Sequence, residues 1–282
     1  KYISPVNEPF WVWNGGQEGC HYRPSSCRKV LHAFVKELDG RKTLDGVRLS
    51  GCENGDIRWF NKSYSRAVLG DPLVRTRLGA LDIHSYCLHM PIPFFNNRMS
   101  FLKRFAKWMS KNYPDVPVNM SEWTHMQGGR DKGMDSALVT ANVMYEDLSV
   151  LNVISWQHWI AVSEVNYCDG LIYINLDDKT FEMTKRYYVT GNFSKYVPTG
   201  SVRVDAACDD PELRLLAFKY DGGCAVIVIN STEKEKELSL PEQYSAVKSA
   251  VTDDNNDLRE YDIAAPEHIK ITPRSVTTII LR

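Results

Sequence analysis

The feature that most narrows what this chain can fold into is an alternation. From the start to about residue 197, short apolar runs take turns with stretches whose apolar residues recur at helical spacing. The runs cover residues 2–6, 46–50, 80–85, 116–121 and 153–156. Between them, Val30, Leu31, Phe34, Val35 and Leu38 follow a Ser25-Ser26 cap, and Phe101, Leu102, Phe105, Trp108 and Met109 repeat the i, i+4, i+7 period. A third helix runs from a cap near Asp135 through Leu138, Ala141, Met144, Tyr145 and Leu148. Strands that alternate with helices in this way predict a parallel α/β sheet covered by helices.

After Pro198-Thr199-Gly200 the texture changes to strands separated by turns, at 201–205, 213–220, 224–230, 236–240, 246–252 and 275–281. Asp221-Gly222-Gly223 between two of them is a strong hairpin signal. The domain boundary therefore falls here: residues 1–199 form the α/β part, and residues 200–282 read as a small antiparallel β-sandwich.

Composition then excludes several function classes. The 282 residues carry 34 Lys and Arg against 35 Asp and Glu, with no basic run, so nucleic acid is not an expected partner. No stretch approaches the roughly 20 apolar residues that span a bilayer, and Lys1-Tyr2-Ile3 opens without a charged-then-apolar leader. The expectation is of neither a membrane anchor nor a signal peptide within these residues. Of seven Cys, only Cys20 and Cys27 lie close together across turn-forming residues, which allows one local disulfide and no framework. The sequons at Asn61, Asn119, Asn192 and Asn230 are about what chance supplies. Aromatic residues reach 11%, and many stand beside Asn, Glu, His or Gly, which points to a sugar-binding cleft.

Chemistry concentrates just after the strands, where parallel sheets and barrels build their sites. Asn7-Glu8-Pro9 follows the first strand, His84-Ser85-Tyr86 the third, Ser121-Glu122-Trp123 the fourth and Trp156-Gln157-His158-Trp159 the fifth. A single Glu at a strand end is most often a cap or an ion-pair partner. Two of them on one face, Glu8 and Glu122, are what hydrolysis of a sugar bond requires: one carboxyl to protonate the leaving oxygen, the other to attack or to activate water. Trp11, Trp13, Trp123, Trp156 and Trp159 are candidate stacking platforms, each with core packing as the plainer alternative.

Tyr2-Ile3-Ser4-Pro5-Val6-Asn7-Glu8-Pro9 followed by Ser121-Glu122-Trp123 resembles glycoside hydrolase family 30, in the clan of (β/α)8 retaining glycosidases. The stretch from Tyr187 to Val197, then Gly200-Ser201-Val202-Arg203, is similar to that family's last barrel helix and its exit into a side β-domain. The resemblance implies a TIM barrel of which this chain carries strands four to eight. It makes Glu8 the acid/base and Glu122 the nucleophile. Asn7 is then set to contact the sugar 2-hydroxyl and Tyr86 to hydrogen-bond the nucleophile, while His84, Trp11, Trp13, Trp123 and Trp156 serve the substrate. In the occupied site Glu122 is ionised and its charge helps Glu8 keep a proton. No metal or other cofactor is called for.

Within the family, the residues from Asn7 to Trp13 and then Gly15-Gly16-Gln17-Glu18-Gly19-Cys20 look most like the endo-β-1,6-galactanase branch, which cuts arabinogalactan side chains. Another activity of the same family (β-1,6-glucanase, xylanase, glucosylceramidase-like) is the alternative, as is a non-catalytic carbohydrate-binding fragment. A metal-dependent hydrolase built on His84, His125 and His158 lacks the expected His-x-His or His-Glu-x-x-His spacing. The expected partner is a polysaccharide or oligosaccharide, in an extracellular or periplasmic setting. Since a closed barrel needs eight units, the first three, and with them the leading strand of the side domain, are expected from residues not in this sequence or from another chain.

Overall fold

The computed structural model describes residues 1–14, 19–87, 97–241 and 244–282. The chain divides into two compact units, residues 1–123 with 146–159, and residues 124–145 with 160–282.

The first unit is built on a parallel five-stranded sheet in the order β1 (Tyr2–Ile3), β2 (Arg48–Asn54), β3 (Leu78–His84), β4 (Val118–Trp123) and β5 (Ser155–His158). Each neighbouring pair is parallel, and the crossovers carry α1 (Pro24–Asp39), α2 (Trp59–Leu69), α3 (Pro72–Arg77) and α4 (Arg98–Asn112). Strands β2 and β3 are buried along most of their length, as strands covered on both faces must be. The fold of this unit is that of an open half-barrel.

Helix α1 starts at Pro24 rather than after Ser25-Ser26, because proline's missing N–H costs nothing in the first turn. It buries Cys27, Leu31, Val35 and Leu38. With Leu49 and Cys52 of β2 and Tyr64, Val68 and Val74 of α2 and α3, most of that stripe forms one apolar core. The sequence reading missed α2 and α3. Asp71 caps α3 by accepting the N–H groups of Leu73 (3.0 Å) and Val74 (3.2 Å). Helix α4 buries Phe101, Leu102, Phe105, Trp108 and Met109, the stripe its periodicity predicts.

The second unit contains α5 (Met134–Glu146), whose first turn is held by Asp131 rather than Asp135. Asp131 precedes the unpaired N–H groups of the helix start and accepts those of Gly133 and Ser136, both at 2.8 Å. Asp135 instead pairs with Arg274 at 2.5 Å. A three-stranded sheet of β6 (Val162–Ser163), β7 (Ile172–Asn175) and β8 (Thr180–Met183) precedes α6 (Lys185–Ser194).

Six antiparallel strands follow in the order β14-β13-β16-β11-β10-β9. They are β9 (Val202–Val204), β10 (Leu213–Tyr220), β11 (Gly223–Asn230), β13 (Ala246–Thr252), β14 (Arg259–Asp262) and β16 (Ser275–Leu281). A separate ladder joins β12 (Lys236–Leu238) to β15 (Ile269–Ile271). Leu238, Ile269 and Ile271 share an apolar core with Leu213, Val226, Val228 and Ile279. The β10–β11 turn is the Asp221-Gly222 step, with Gly222 at φ 84°.

No disulfide joins Cys20 to Cys27. Cys20 is exposed, while Cys27 faces the core with its thiol pushed up to about 12 by burial. Asn61, Asn192 and Asn230 are fully buried, which closes those sequons to glycosylation in the folded state.

Candidate active site

All the residues of the site belong to the first unit and stand at the carboxyl ends of its strands. Glu8 follows β1, His84 ends β3, and Glu53 and Glu122 are the next-to-last residues of β2 and β4. The β3–β4 register sets His84 beside Glu122. Glu8 and Glu53 both adopt left-handed backbone, at φ 41° and 55°, a conformation that non-glycine residues hold only when their surroundings enforce it. Part of that enforcement is visible, since the Glu8 N–H donates to the Glu53 carbonyl at 2.9 Å.

A single imidazole ties these groups together. His84, only 1% exposed, donates from Nδ1 to Glu8 Oε1 at 2.9 Å and lies 3.6 Å from Glu122 Oε1. Its Nε2 faces Glu53 Oε2 at 3.3 Å. Tyr86 Oη donates to Glu122 Oε1 at 3.3 Å, and Ser121 Oγ donates to Glu53. Below this layer, Asp82 accepts hydrogen bonds from Ser50 and from Asn119, the latter at 2.9 Å. Oxygens of Glu8 and Glu122 and a ring nitrogen of His84 all lie within 4.8 Å of one another.

The electrostatics follow from that packing. Burial alone would strip the His84 proton, but hydrogen bonds to Glu53 and Glu8 and the charge of Glu122 outweigh it and push the imidazole up to about 9. His84 is thus an imidazolium at neutral pH, with both ring nitrogens facing carboxylates. Neither His125 nor His158 belongs to this donor group. His125 instead meets Ser136 Oγ at 3.2 Å, and the His158 ring stacks on Trp156.

Burial also opposes ionisation of Glu53, yet the bonds from His84 and Ser121 hold it below the ordinary carboxylate range. Asp82, buried and close to the Glu53 charge, is raised to about 7. Glu122 is raised by burial and by the Glu8 charge against the pull of His84. Sequence reasoning gave the retained proton of the occupied site to Glu8; in the open site burial raises the proton affinity of Glu122.

The remaining predicted residues fall around the pair. The Asn7 side chain is exposed next to Glu8. Trp11 is half-buried, with its indole N–H near Glu8: a Cβ on Gly55 would lie 2.5 Å from Glu8 Oε1 and 2.7 Å from Trp11 Nε1. Trp13 packs its ring against Gly19. Trp123 is buried and meets the half-buried Trp156 at 6.0 Å between ring centroids. Trp156 is pinned by its N–H to Asp147 at 3.0 Å, while Trp159 is half exposed. Gly15 to Glu18, part of the galactanase-like motif, lie outside the described residues.

Sequence reasoning missed Glu53, Asp82, Asp147 and Arg98. The signal for Glu53 is a carboxylate at the end of a strand, but the apolar run predicts that strand only as far as Ser50, whereas it continues to Asn54. Asp147 lies in a π-helical turn over Asp147–Leu151, where no simple period applies.

Parallel strands that bring two carboxylates and an imidazolium to one end define a site for acid–base and nucleophilic chemistry. Residues 83–173, which include His84 and Glu122, match O-glycosyl hydrolase family 30, and this supports a glycoside hydrolase of that family. Over 205 residues the chain is 23% identical to the lysosomal acid glucosylceramidase of Mus musculus, covering 66% of this chain and 37% of that protein.

Two solved structures are similar throughout. One is a conserved exported protein from Bacteroides fragilis, with TM-score 0.85, 19% identity and coverage of 99% of this chain and 64% of that one. The other is a GH30 endoxylanase from Clostridium papyrosolvens, with TM-score 0.74, 17% identity and the same coverage. At this identity the likeness shows the fold alone: the parallel half-barrel sheet corresponds to part of a fold that contains a (β/α)8 barrel. The chain spans about two fifths of the length of its mouse relative and just under two thirds of these structures. Among the described residues no helix is long and apolar enough to cross a membrane.

Proposed function

We propose that these residues form the catalytic end of a retaining family 30 glycoside hydrolase, with Glu8 as acid/base and Glu122 as nucleophile. The observation that carries the reading is the separation of the two carboxylates, with oxygens within 4.8 Å at the carboxyl ends of parallel strands. Retaining enzymes hold the pair at roughly 5 to 5.5 Å, while inverting ones leave room for a water.

In the first step Glu122 attacks the anomeric carbon as Glu8 protonates the departing oxygen. In the second, Glu8 takes a proton from water, which displaces Glu122. The His84 imidazolium offsets the negative charge of the pair, and Tyr86 orients the Glu122 oxygen. Asn7 contacts the 2-hydroxyl, and Trp11, Trp13 and Trp156 offer ring faces to the sugar. The chemistry needs no metal or cofactor. Glu122→Ala should abolish turnover, with partial rescue by azide as an external nucleophile. Full retention of activity would remove Glu122 from the mechanism.

The substrate reading is endo-cleavage of β-1,6-linked galactan, supported by the tryptophan-bearing segment after Glu8. Product analysis on β-1,6-galactan, β-1,6-glucan, glucuronoxylan and aryl glycosides tests it. Release from xylan or β-1,6-glucan with de-arabinosylated arabinogalactan left intact would transfer the assignment to another activity of the family. The proposed organisation is a barrel part over residues 1–199 and a β-sandwich side domain over 200–282. The proposed setting is extracellular or periplasmic, in keeping with the exported Bacteroides relative.

A further inference from the structure

Glu53 has no part in the two-step chemistry, yet it touches the Glu8 backbone, the His84 ring and the residue before Glu122. Its backbone carbonyl takes the Glu8 N–H at 2.9 Å, its carboxylate faces His84 Nε2 at 3.3 Å, and the same oxygen accepts the hydroxyl of Ser121, the residue before Glu122. It is buried and itself held in left-handed backbone. A packing residue at this position would not need a charge. A buried carboxylate survives only with partners that compensate it, and here the partners are the neighbours of the catalytic pair.

We infer that Glu53 is the positioning residue of this site: it fixes His84 as an imidazolium between Glu8 and Glu122 and sets the spacing of the two carboxylates from behind. The inference rests on the retaining glycosidase reading for its catalytic consequence, but not for its effect on His84. The groups that face His84 are Glu8 after β1, Glu53 on β2, Asp82 on β3, Tyr86 after β3 and Glu122 on β4. Of the three Glu ion-pair partners, Glu8 and Glu122 meet Nδ1 and Glu53 meets Nε2. Removing that charge leaves Nε2–H without an anionic partner and weakens the hold on the proton. An uncharged His84 then no longer offsets the Glu8–Glu122 repulsion, so Glu122 ionises less readily and the acidic limb of the rate profile moves up in pH.

The test is Glu53→Gln in the otherwise unaltered protein, with Glu53→Asp as the charge-retaining control. Two things are read: the His84 titration by ¹H–¹⁵N NMR of the ring, and kcat/KM against pH. Glu53→Gln should lower the His84 midpoint by about 1 to 2 pH units and shift the acidic limb upward, with Glu53→Asp closer to the parent in both. An unmoved His84 midpoint overturns the inference. So does a rate loss that is equal at all pH values and equal in the two variants, which is what a purely structural role gives.

Where Glu53→Gln does not fold, the parent protein decides, because the inference requires both His84 ring nitrogens to be protonated at pH 7.5. A neutral ring there overturns it. If the parent hydrolyses no glycoside, the functional reading fails, and the titration still judges the placement of His84 by Glu53.

Discussion

At residue 55 the absence of a side chain has a direct chemical consequence. Any Cβ there would press on both the Glu8 carboxylate and the Trp11 indole nitrogen, at 2.5 and 2.7 Å, distances that side chains do not sustain. Gly55→Ala is therefore expected to displace Glu8 from His84 while leaving the sheet intact, and to lower kcat by about tenfold or more. Steady-state kinetics beside a thermal melt check this; unchanged kcat in a folded variant would contradict the geometry.

The same neighbourhood marks how far single residues were legible. Glu8 and Glu122 stood out because each ends a recognisable apolar run beside an aromatic or amide residue. Glu53 and Asp82 did not, because their roles depend on which strands lie side by side and on which nitrogen of His84 each reaches. Register produces that information, and a linear pattern does not contain it.

Elements were legible in proportion to their periodicity. Helix α4 buries the five residues its spacing predicts, and all five strands of the parallel sheet exist, with ends shifted by a few residues. The losses were helices α2 and α3, the small β6–β8 sheet, and strands β14 and β15, which are too brief or too polar to stand out. The π-helical turn before β5 belongs with these losses and has a function in packing. Its Asp147, fully buried, accepts hydrogen bonds from Ser85 at 2.8 Å, Trp156 at 3.0 Å and Arg98 at 2.5 Å, while Arg98 also reaches Glu146 at 2.5 Å. Asp147→Ala leaves a largely buried guanidinium with one carboxylate and frees the Trp156 ring. It is expected to cost about 3 to 5 kcal/mol, as measured by urea unfolding; a loss under about 1 kcal/mol would mean that water replaces the carboxylate at no cost.

On the scale of the whole molecule, the parallel sheet ends at β1 and β5 with no further strand among the described residues, and Tyr2 and Ile3 at one edge are 64% and 41% exposed. An unpaired parallel edge with apolar side chains invites association. We propose that a polypeptide carrying three more β/α units closes this sheet into a barrel. A monodisperse monomer of these 282 residues with full hydrolytic activity, seen by size exclusion, would contradict that proposal, whereas association with such a segment and a gain in activity would support it.

The central claim, that Glu8 and Glu122 act as acid/base and nucleophile at retaining distance, predicts the stereochemistry of the product. Proton NMR of the anomeric region during the first minutes of hydrolysis of a β-linked substrate reads it directly. Retention makes the β-anomer appear first and the α-anomer only later, by mutarotation. An α-anomer formed first would mean inversion and would contradict the assignment of both residues.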